Sequence, residues 1–491
     1  MTWVRRIPWL LLALALLSAG GYLLASWRTV GLGYPLDDAW IYQTYARNLA
    51  ERGEWAFLPG QPSAGSTGPL WSAILALGRW LGLDPRLWTY ALGIGLLALT
   101  AIVCASWTRA RRPDRPAWGL IAGLVVLAEW HLVWASVSGM ETLALACMSA
   151  VVLWALERPG TQPFAVGLLI GVGVWIRPDA LLLLAPALAN VALGRRERRL
   201  RAVLSVAGGT ILAVAPYLAF NRMLSGEWWP TTFYAKQAEY AALRLAPLTQ
   251  RLLAQWTLPL VGAGAVLLVG LGAGAARAFR ARTWAQFLPL LWILGHLSVY
   301  ALRLPVTYQH GRYAIPVIPA LLVLGLDGMA GWVQLDSPSR VPRVLSRAWA
   351  ATLAGVALAF WGLGARAYAA DVAVIETEMV RAARWVAEHT EPSAPVAAHD
   401  IGALGYFGRR GLIDLAGLIS PEVIPILRNE PALRNYLDAS GARYLVTFPG
   451  WYPRLTQAAT PLFVTDGPYS PAAGGENMAV YRWPTSPSAG P

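Results

Sequence analysis

Lysine is almost missing from this chain: Lys236 stands alone among 40 basic residues, so arginine supplies nearly all of a formal net charge of +13. Charge of either sign is scarce, at 14% of 491 residues, against roughly 25% in an average soluble domain. That shortage excludes a soluble surface over most of the chain. Cysteine is rarer still, with only Cys104 and Cys147, both inside apolar runs, so no disulfide framework is implied. No Walker-type loop, dinucleotide fingerprint, nucleophile elbow or zinc spacing occurs, and none of those chemistries has a foothold in the sequence.

What fills the chain is hydrophobic sequence, 56% of all residues, arranged in runs near the ~20 residues that cross a hydrocarbon core. After Arg5 and Arg6, the run Ile7 to Trp27 carries no charge. It is longer than the ~7–15 residue core of a signal peptide and reads as a first span. Further spans are expected near 87–107, 116–132, 140–156, 163–177, 179–193, 202–220, 254–276, 284–301, 312–333 and 347–367, about eleven in all. Pro69 to Leu83 is apolar but only ~14 residues long, too short to cross, and suits an interfacial or re-entrant helix. With that helix kept out of the span count, the basic clusters 109–115, 195–201, 277–282 and 340–347 share one side. Arginine-rich loops mark the cytoplasmic face, so the N-terminus is placed there too. The same clustering favours topology over nucleic acid as the reason for a pI near 10, and no nucleic-acid partner is expected. The other face receives 28–86, 133–139, the turn at Arg177-Pro178-Asp179, 221–253, 302–311 and everything after about 368.

The tail changes character. Residues 370–389 show an approximate 3.6 period of apolar positions. Short β-like runs follow at 396–399, 411–415, 444–448 and 478–481, with helices near 420–429 and 431–440 between them. The expected fold is mainly α, a polytopic membrane module over 1–367 with a small α/β extracytoplasmic domain over 368–484, and 485–491 as a disordered tail.

Chemistry collects on the outer loops. Asp37 and Asp38 follow the first span, where paired carboxylates are costly unless they act or bind. Neighbouring side chains point apart, so the two need not share a target, and a helix N-cap would account for one of them. Lys236 lies among Trp228, Trp229, Phe233 and Tyr234, where an ammonium could neutralise a lipid phosphate or simply snorkel. His310 and Arg312, beside Tyr308 and Tyr313, could hold the same phosphate or anchor an aromatic belt. Arg177 and Asp179 suit a structural ion pair, and Glu141 a helix cap or a member of the acidic site. His399-Asp400 ends a strand-like run, as a turn or a site lip. Two aspartates could hold Mg²⁺ or Mn²⁺, but two oxygen-bearing residues do not specify a metal.

Asp37-Asp38-Ala39-Trp40-Ile41 with Tyr45-Ala46-Arg47-Asn48-Leu49, then Gly60-Gln61-Pro62 and Ser66-Thr67-Gly68-Pro69-Leu70-Trp71, resembles the first outer loop of the C-type (GT-C) superfamily of polyprenyl-phosphate-sugar-dependent glycosyltransferases. The wording is similar to mycobacterial-type arabinofuranosyltransferases and to the family related to protein mannosyltransferases. Ser138 to Thr142, Ile176 to Asp179, Pro230 to Lys236 and His310 to Tyr313 extend the likeness over most of the membrane part. The family more often has Tyr at Trp40 and Asn at Gly68 or Thr231. The resemblance implies a transferase of the bacterial cytoplasmic membrane, and a single displacement with a carboxylate as general base would invert the anomeric carbon. Its acidic pair, Asp37 and Asp38, would be the catalytic feature, with Arg47 a supporting residue of the same loop. The donor would be a polyprenyl-phosphate sugar and the acceptor a glycan, lipid or protein hydroxyl. The alternatives are a flippase of lipid-linked sugars, which predicts charges near mid-span, and a non-catalytic envelope-assembly subunit.

Overall fold

The computed structural model describes residues 2–193 and 199–484. Most of the basic segment 195–201 and all of the tail 485–491 therefore lie outside the described residues. The chain divides into two compact units. One is made of Met1–Leu23, Tyr90–Tyr217 and Leu243–Arg366, and the other of Leu24–Thr89, Leu218–Ala242 and Ala367–Pro491.

Among the described residues seven helices are long and apolar enough to cross a membrane: Arg6–Thr29, Pro85–Arg111, Arg199–Ser225, Ala263–Arg280, Trp284–Arg303, Tyr308–Ala330 and Arg340–His389. The pair Ala117–Ala128 and Trp130–Val137, bent by 58°, makes an eighth if taken as one broken span. Thr142–Glu157, Pro163–Ile176 and Pro178–Leu193 are shorter apolar helices. This is a polytopic membrane protein with a small sheet domain near its C-terminus. Three segments differ in detail from the sequence reading. The run expected at 254–276 divides into Leu248–Thr257, a short turn containing Pro259, and Ala263–Arg280. Pro259 and the left-handed Gly262 (φ 106°) break it. The amphipathic stretch 370–389 is the continuation of the last span, because nothing between 340 and 389 interrupts the helix except a π-turn at Glu376–Val380. Glu129 splits the third span by accepting from Leu132 N at 3.0 Å, which starts a new helix.

In the first unit, Ala263–Arg280 and Ile318–Ala330 pack backbone to backbone. A Cβ on Gly270 would strike the Gly325 carbonyl, and one on Gly328 the Gly270 carbonyl. Small residues permit this approach, which is what holds helices together where lipid removes the hydrophobic drive. Gly328→Leu is therefore expected to destabilise the protein by about 1–3 kcal/mol, read as a lower midpoint of thermal unfolding in detergent. An unchanged midpoint would contradict the close packing. The buried Asp327 accepts from Arg112 Nε at 2.7 Å, Arg277 Nη2 at 2.5 Å and Arg111 Nη1 at 3.3 Å, and Arg111 also binds Glu157 at 2.5 Å. Part of two basic clusters thus ties helices together as well as marking a membrane face.

The second unit begins with the last turns of α1 (Thr2–Thr29), from Leu24 on, followed by α2 (Asp38–Arg52). A small hairpin, β1 (Ala56–Leu58) with β2 (Gln61–Pro62), precedes α3 (Pro69–Trp80), which opens on proline and spans 12 residues. Helix α4 (Thr231–Glu239) follows. The tail forms a five-stranded sheet from β3 (Val396–Ala398), β4 (Leu412–Asp414), β5 (Tyr444–Thr447), β6 (Thr460–Val464) and β7 (Ala479–Arg482), in the order β4-β3-β5-β7-β6. Strand β3 runs parallel to both of its neighbours, β4 and β5, whereas β5–β7 and β6–β7 are antiparallel. The core beneath holds Leu433, Leu437, Leu445, Tyr452 and Leu455.

Candidate functional site

Because the chain leaves β3 toward β4 on one side and later returns as β5 on the other, strand order reverses at the carboxyl end of β3. Such a switch point opens a crevice outside the strand ends, where α/β sheets bind ligands. His399 and Asp400 are the two residues that follow β3 there.

Asp37 sits at the N-cap of α2 but makes no side-chain cap bond. Its carboxylate reaches instead to the tail, accepting from Gly402 N at 2.7 Å and Ala403 N at 2.8 Å. Glycine is required at 402, since a Cβ there would overlap the Asp37 main chain. Asp38 points elsewhere, and its Oδ2 lies 3.1 Å from Lys236 Nζ on α4. The two aspartates have separate targets, as adjacent side chains should. Asp37 is buried, whereas the Asp38 and Lys236 side chains keep 26% and 21% exposure, enough to meet a ligand.

Helix α4 is fixed at both ends. Thr231 N donates to Ala64 O at 3.1 Å, and the hydroxyls of Thr67 and Thr232 pair at 2.9 Å. At its far end Glu239 Oε1 lies 2.9 Å from His399 Nε2 and 2.9 Å from Arg428 Nη2. His399 Nδ1 in turn pairs with the Tyr452 hydroxyl at 2.7 Å. Glu239 and Arg428 escaped the sequence reading because no local motif marks them; the α4 carboxylate meets its partners across more than a hundred residues of chain. Arg47 donates to Tyr406 O at 2.6 Å and Gly405 O at 3.0 Å with its guanidinium over the Tyr406 ring. Arg79 of α3 donates to the Tyr406 hydroxyl at 2.7 Å, so both helices grip the same turn.

Burial, reinforced by Asp400, pushes the Asp37 carboxyl up to about 8 against the pull of its two N–H donors. Burial likewise raises Asp400 to about 6 against the lowering effect of His399. Glu239 is held below the usual range because His399 and Arg428 outweigh its burial. For the two raised groups the folded chain binds more protons than the unfolded one between ~pH 4 and ~pH 8, so they contribute stability at low pH that is lost as pH rises through that window. Asp400→Asn removes the repulsion on Asp37 and should flatten this fall. Thermal unfolding midpoints from about pH 5 to about pH 9 measure it, and an equal slope in variant and parent would contradict the coupling.

The other residues singled out from sequence belong to the first unit. Arg177 donates to Glu141 Oε1 and Asp179 Oδ1, each at 3.0 Å, while the Tyr300 hydroxyl donates to Asp179 Oδ2 at 2.6 Å. Glu141 occupies an N-cap position without a cap bond and spends its carboxylate on Arg177. Arg312 is buried and donates to the Tyr313 hydroxyl at 3.2 Å. His310, in a left-handed backbone conformation (φ 55°), packs edge-on to Trp130 and Trp134. At the bend in the third span, the buried Glu129 and His131 pair at 2.8 Å. Neither residue was singled out from sequence, although a single Glu inside an apolar run is a signal that could have found the pair.

Among the described residues no three His, Cys, Asp or Glu side chains come together in a metal-binding group. In the acidic pair, Asp37 accepts one N–H on each oxygen and Asp38 faces an ammonium.

A family described as a domain of unknown function (DUF8728) matches residues 365–481. The terminal beta-(1->2)-arabinofuranosyltransferase of Mycobacterium tuberculosis is 28% identical over 221 residues, covering 41% of this chain and 35% of that protein. The chain thus spans about a third of the length of that curated relative. Over whole chains, the structure is similar to ArnT from Cupriavidus metallidurans bound to undecaprenyl phosphate, with a TM-score of 0.61, 16% identity, and coverage of 100% of this chain and 99% of that one. It is also similar to the Archaeoglobus fulgidus oligosaccharyltransferase tethered to an acceptor peptide, with a TM-score of 0.63, 12% identity and coverage of 100% and 75%. At these identities the likeness to both structures is one of fold.

Proposed function

We propose that this chain, whose fold is that of the C-type glycosyltransferases, transfers a sugar from a polyprenyl-phosphate donor to an acceptor hydroxyl on the outer face of the cytoplasmic membrane. The observation that carries this reading is the 3.1 Å contact between Asp38 and Lys236. The sequence marks each residue for a different reason, the first as half of an acidic pair and the second as the only lysine, and they lie 198 positions apart.

Asp38 is the proton acceptor, since its carboxylate is reachable and lies against the Lys236 ammonium, which faces the same space. It takes the acceptor's hydroxyl proton as the oxygen attacks the anomeric carbon, the glycosidic C–O bond breaks, and the electron pair leaves with the lipid phosphate. Lys236 neutralises the charge that grows on that phosphate. One displacement through an oxocarbenium-like transition state inverts the anomeric centre. Asp37 is a positioning residue, fixing the start of α2 against Gly402 and Ala403 so that Asp38 meets Lys236. The likeness to a structure bound to undecaprenyl phosphate supports a lipid-phosphate donor. The basic clusters support a cytoplasmic N-terminus with the site on the opposite face.

NMR of the product formed from a donor of known anomeric configuration tests the mechanism. The account requires the opposite configuration in the product and one polyprenyl phosphate released per sugar transferred. Retention would point to a covalent intermediate and overturn the single displacement.

A second reading, translocation of lipid-linked sugars, is favoured by one observation: the Glu129–His131 pair buried at the break of a bent span. Broken helices carrying polar groups line transport sites in many carriers. Reconstituted vesicles that move a fluorescent lipid-linked sugar between leaflets without transferring it would support that reading instead.

A further inference from the structure

We infer that the crevice at the carboxyl end of β3, in the tail domain of unknown function, is the binding site for an uncharged saccharide acceptor, with Trp451 as its stacking platform and Asp400 as its hydroxyl acceptor. This rests on the transferase reading above and names the acceptor class.

Observations on three residues, Trp451, Arg428 and Asp400, bear on this site. Trp451 is 39% exposed although it lies in the rim of a packed domain, and its indole stands edge-on to His399, 5.1 Å between centroids. Arg428 sits 5.5 Å over the Trp451 ring and 5.4 Å over Tyr452, so it holds the indole in place from one side. Arg428 holds a left-handed backbone conformation (φ 63°), which costs a non-glycine residue energy and is characteristic of functional sites. Among the described residues, the buried Oδ2 of Asp400 has no hydrogen-bond partner.

An ionised carboxylate oxygen only accepts hydrogen bonds, so the group that would satisfy it must be a donor such as a sugar hydroxyl. A flat aromatic face packed against His399, the residue before such an acceptor, matches the two sides of a sugar ring, apolar C–H on the faces and hydroxyls around the edge. Charge narrows the class. Arg428 is already neutralised by Glu239 and Lys236 by Asp38, which leaves Asp400 as a negative surplus. That surplus disfavours phosphorylated or uronic-acid acceptors.

Saturation-transfer NMR on the full chain in phosphatidylcholine nanodiscs, with methyl glycosides of pentose and hexose trisaccharides as probes, tests this without using catalysis. Ring protons of at least one neutral trisaccharide should receive saturation. Trp451→Leu, which keeps the apolar packing and removes the flat face, should weaken binding about threefold to tenfold. Asp400→Asn should weaken it about tenfold. Asp38→Asn should leave binding in place while transfer is lost, which separates failure of the acceptor site from failure of the reaction. The inference is overturned if no neutral trisaccharide binds, if Trp451→Leu binds as the parent does, or if a uronic-acid trisaccharide binds as well as the neutral ones.

Discussion

Asparagine in place of Asp38 is expected to cut sugar transfer by about 10²–10⁴-fold, the usual worth of a positioned general base. The substitution keeps the side chain's size and leaves Asp37, with its hold on Gly402 and Ala403, untouched, so the midpoint of thermal unfolding should barely move. The loss should fall on kcat, with the KM for acceptor little changed, because the carboxylate acts on a proton that moves only as the bond forms. Asp37→Asn should behave differently. It puts an NH₂ where one of two buried N–H groups needs an acceptor, so a stability loss of about 1–3 kcal/mol should accompany any loss of activity. If the two variants lose activity equally and only Asp37→Asn stays stable, their assigned roles are reversed.

Lys236→Met should lower transfer by about 10²–10³-fold, the scale seen when one preorganised group that stabilises developing charge is removed. Lys236→Arg should restore part of it, since a guanidinium carries the same charge in a different shape. The pair also predicts non-additivity. Once Lys236 is gone, Asp38 has lost its ionic partner, and Asp38→Asn in that background should cost less than it does alone. Independent effects in the double variant would mean that the contact at 3.1 Å has no bearing on the reaction.

The residues of this site were unequally visible in the sequence. Asp37-Asp38 and Lys236 stood out because charge and lysine are rare here, and rarity turns position into a signal. Helix α3 was legible from length alone, as twelve residues cannot cross a bilayer. Glu239, Arg428 and the main-chain N–H groups of Gly402 and Ala403 were invisible. Their importance lies in contacts between segments far apart in the chain, and a backbone amide carries no side-chain mark at all. Strand β6 was missed because Pro461 and an exposed pattern disguise it, a disguise that an edge strand tolerates. The continuation of the last span through residues 370–389 was open to view, since neither proline nor glycine interrupts 365–389. The change of composition there marks a change of surroundings, and the helix runs through it.

The most direct measurement gives the purified chain in nanodiscs a radiolabelled sugar, carried either on polyprenyl phosphate or on a nucleotide, together with neutral glycan acceptors. The account predicts label on the acceptor from the polyprenyl-phosphate donor alone, abolished in Asp38→Asn and in Lys236→Met. Transfer from the nucleotide sugar, or undiminished transfer by both variants, would contradict it.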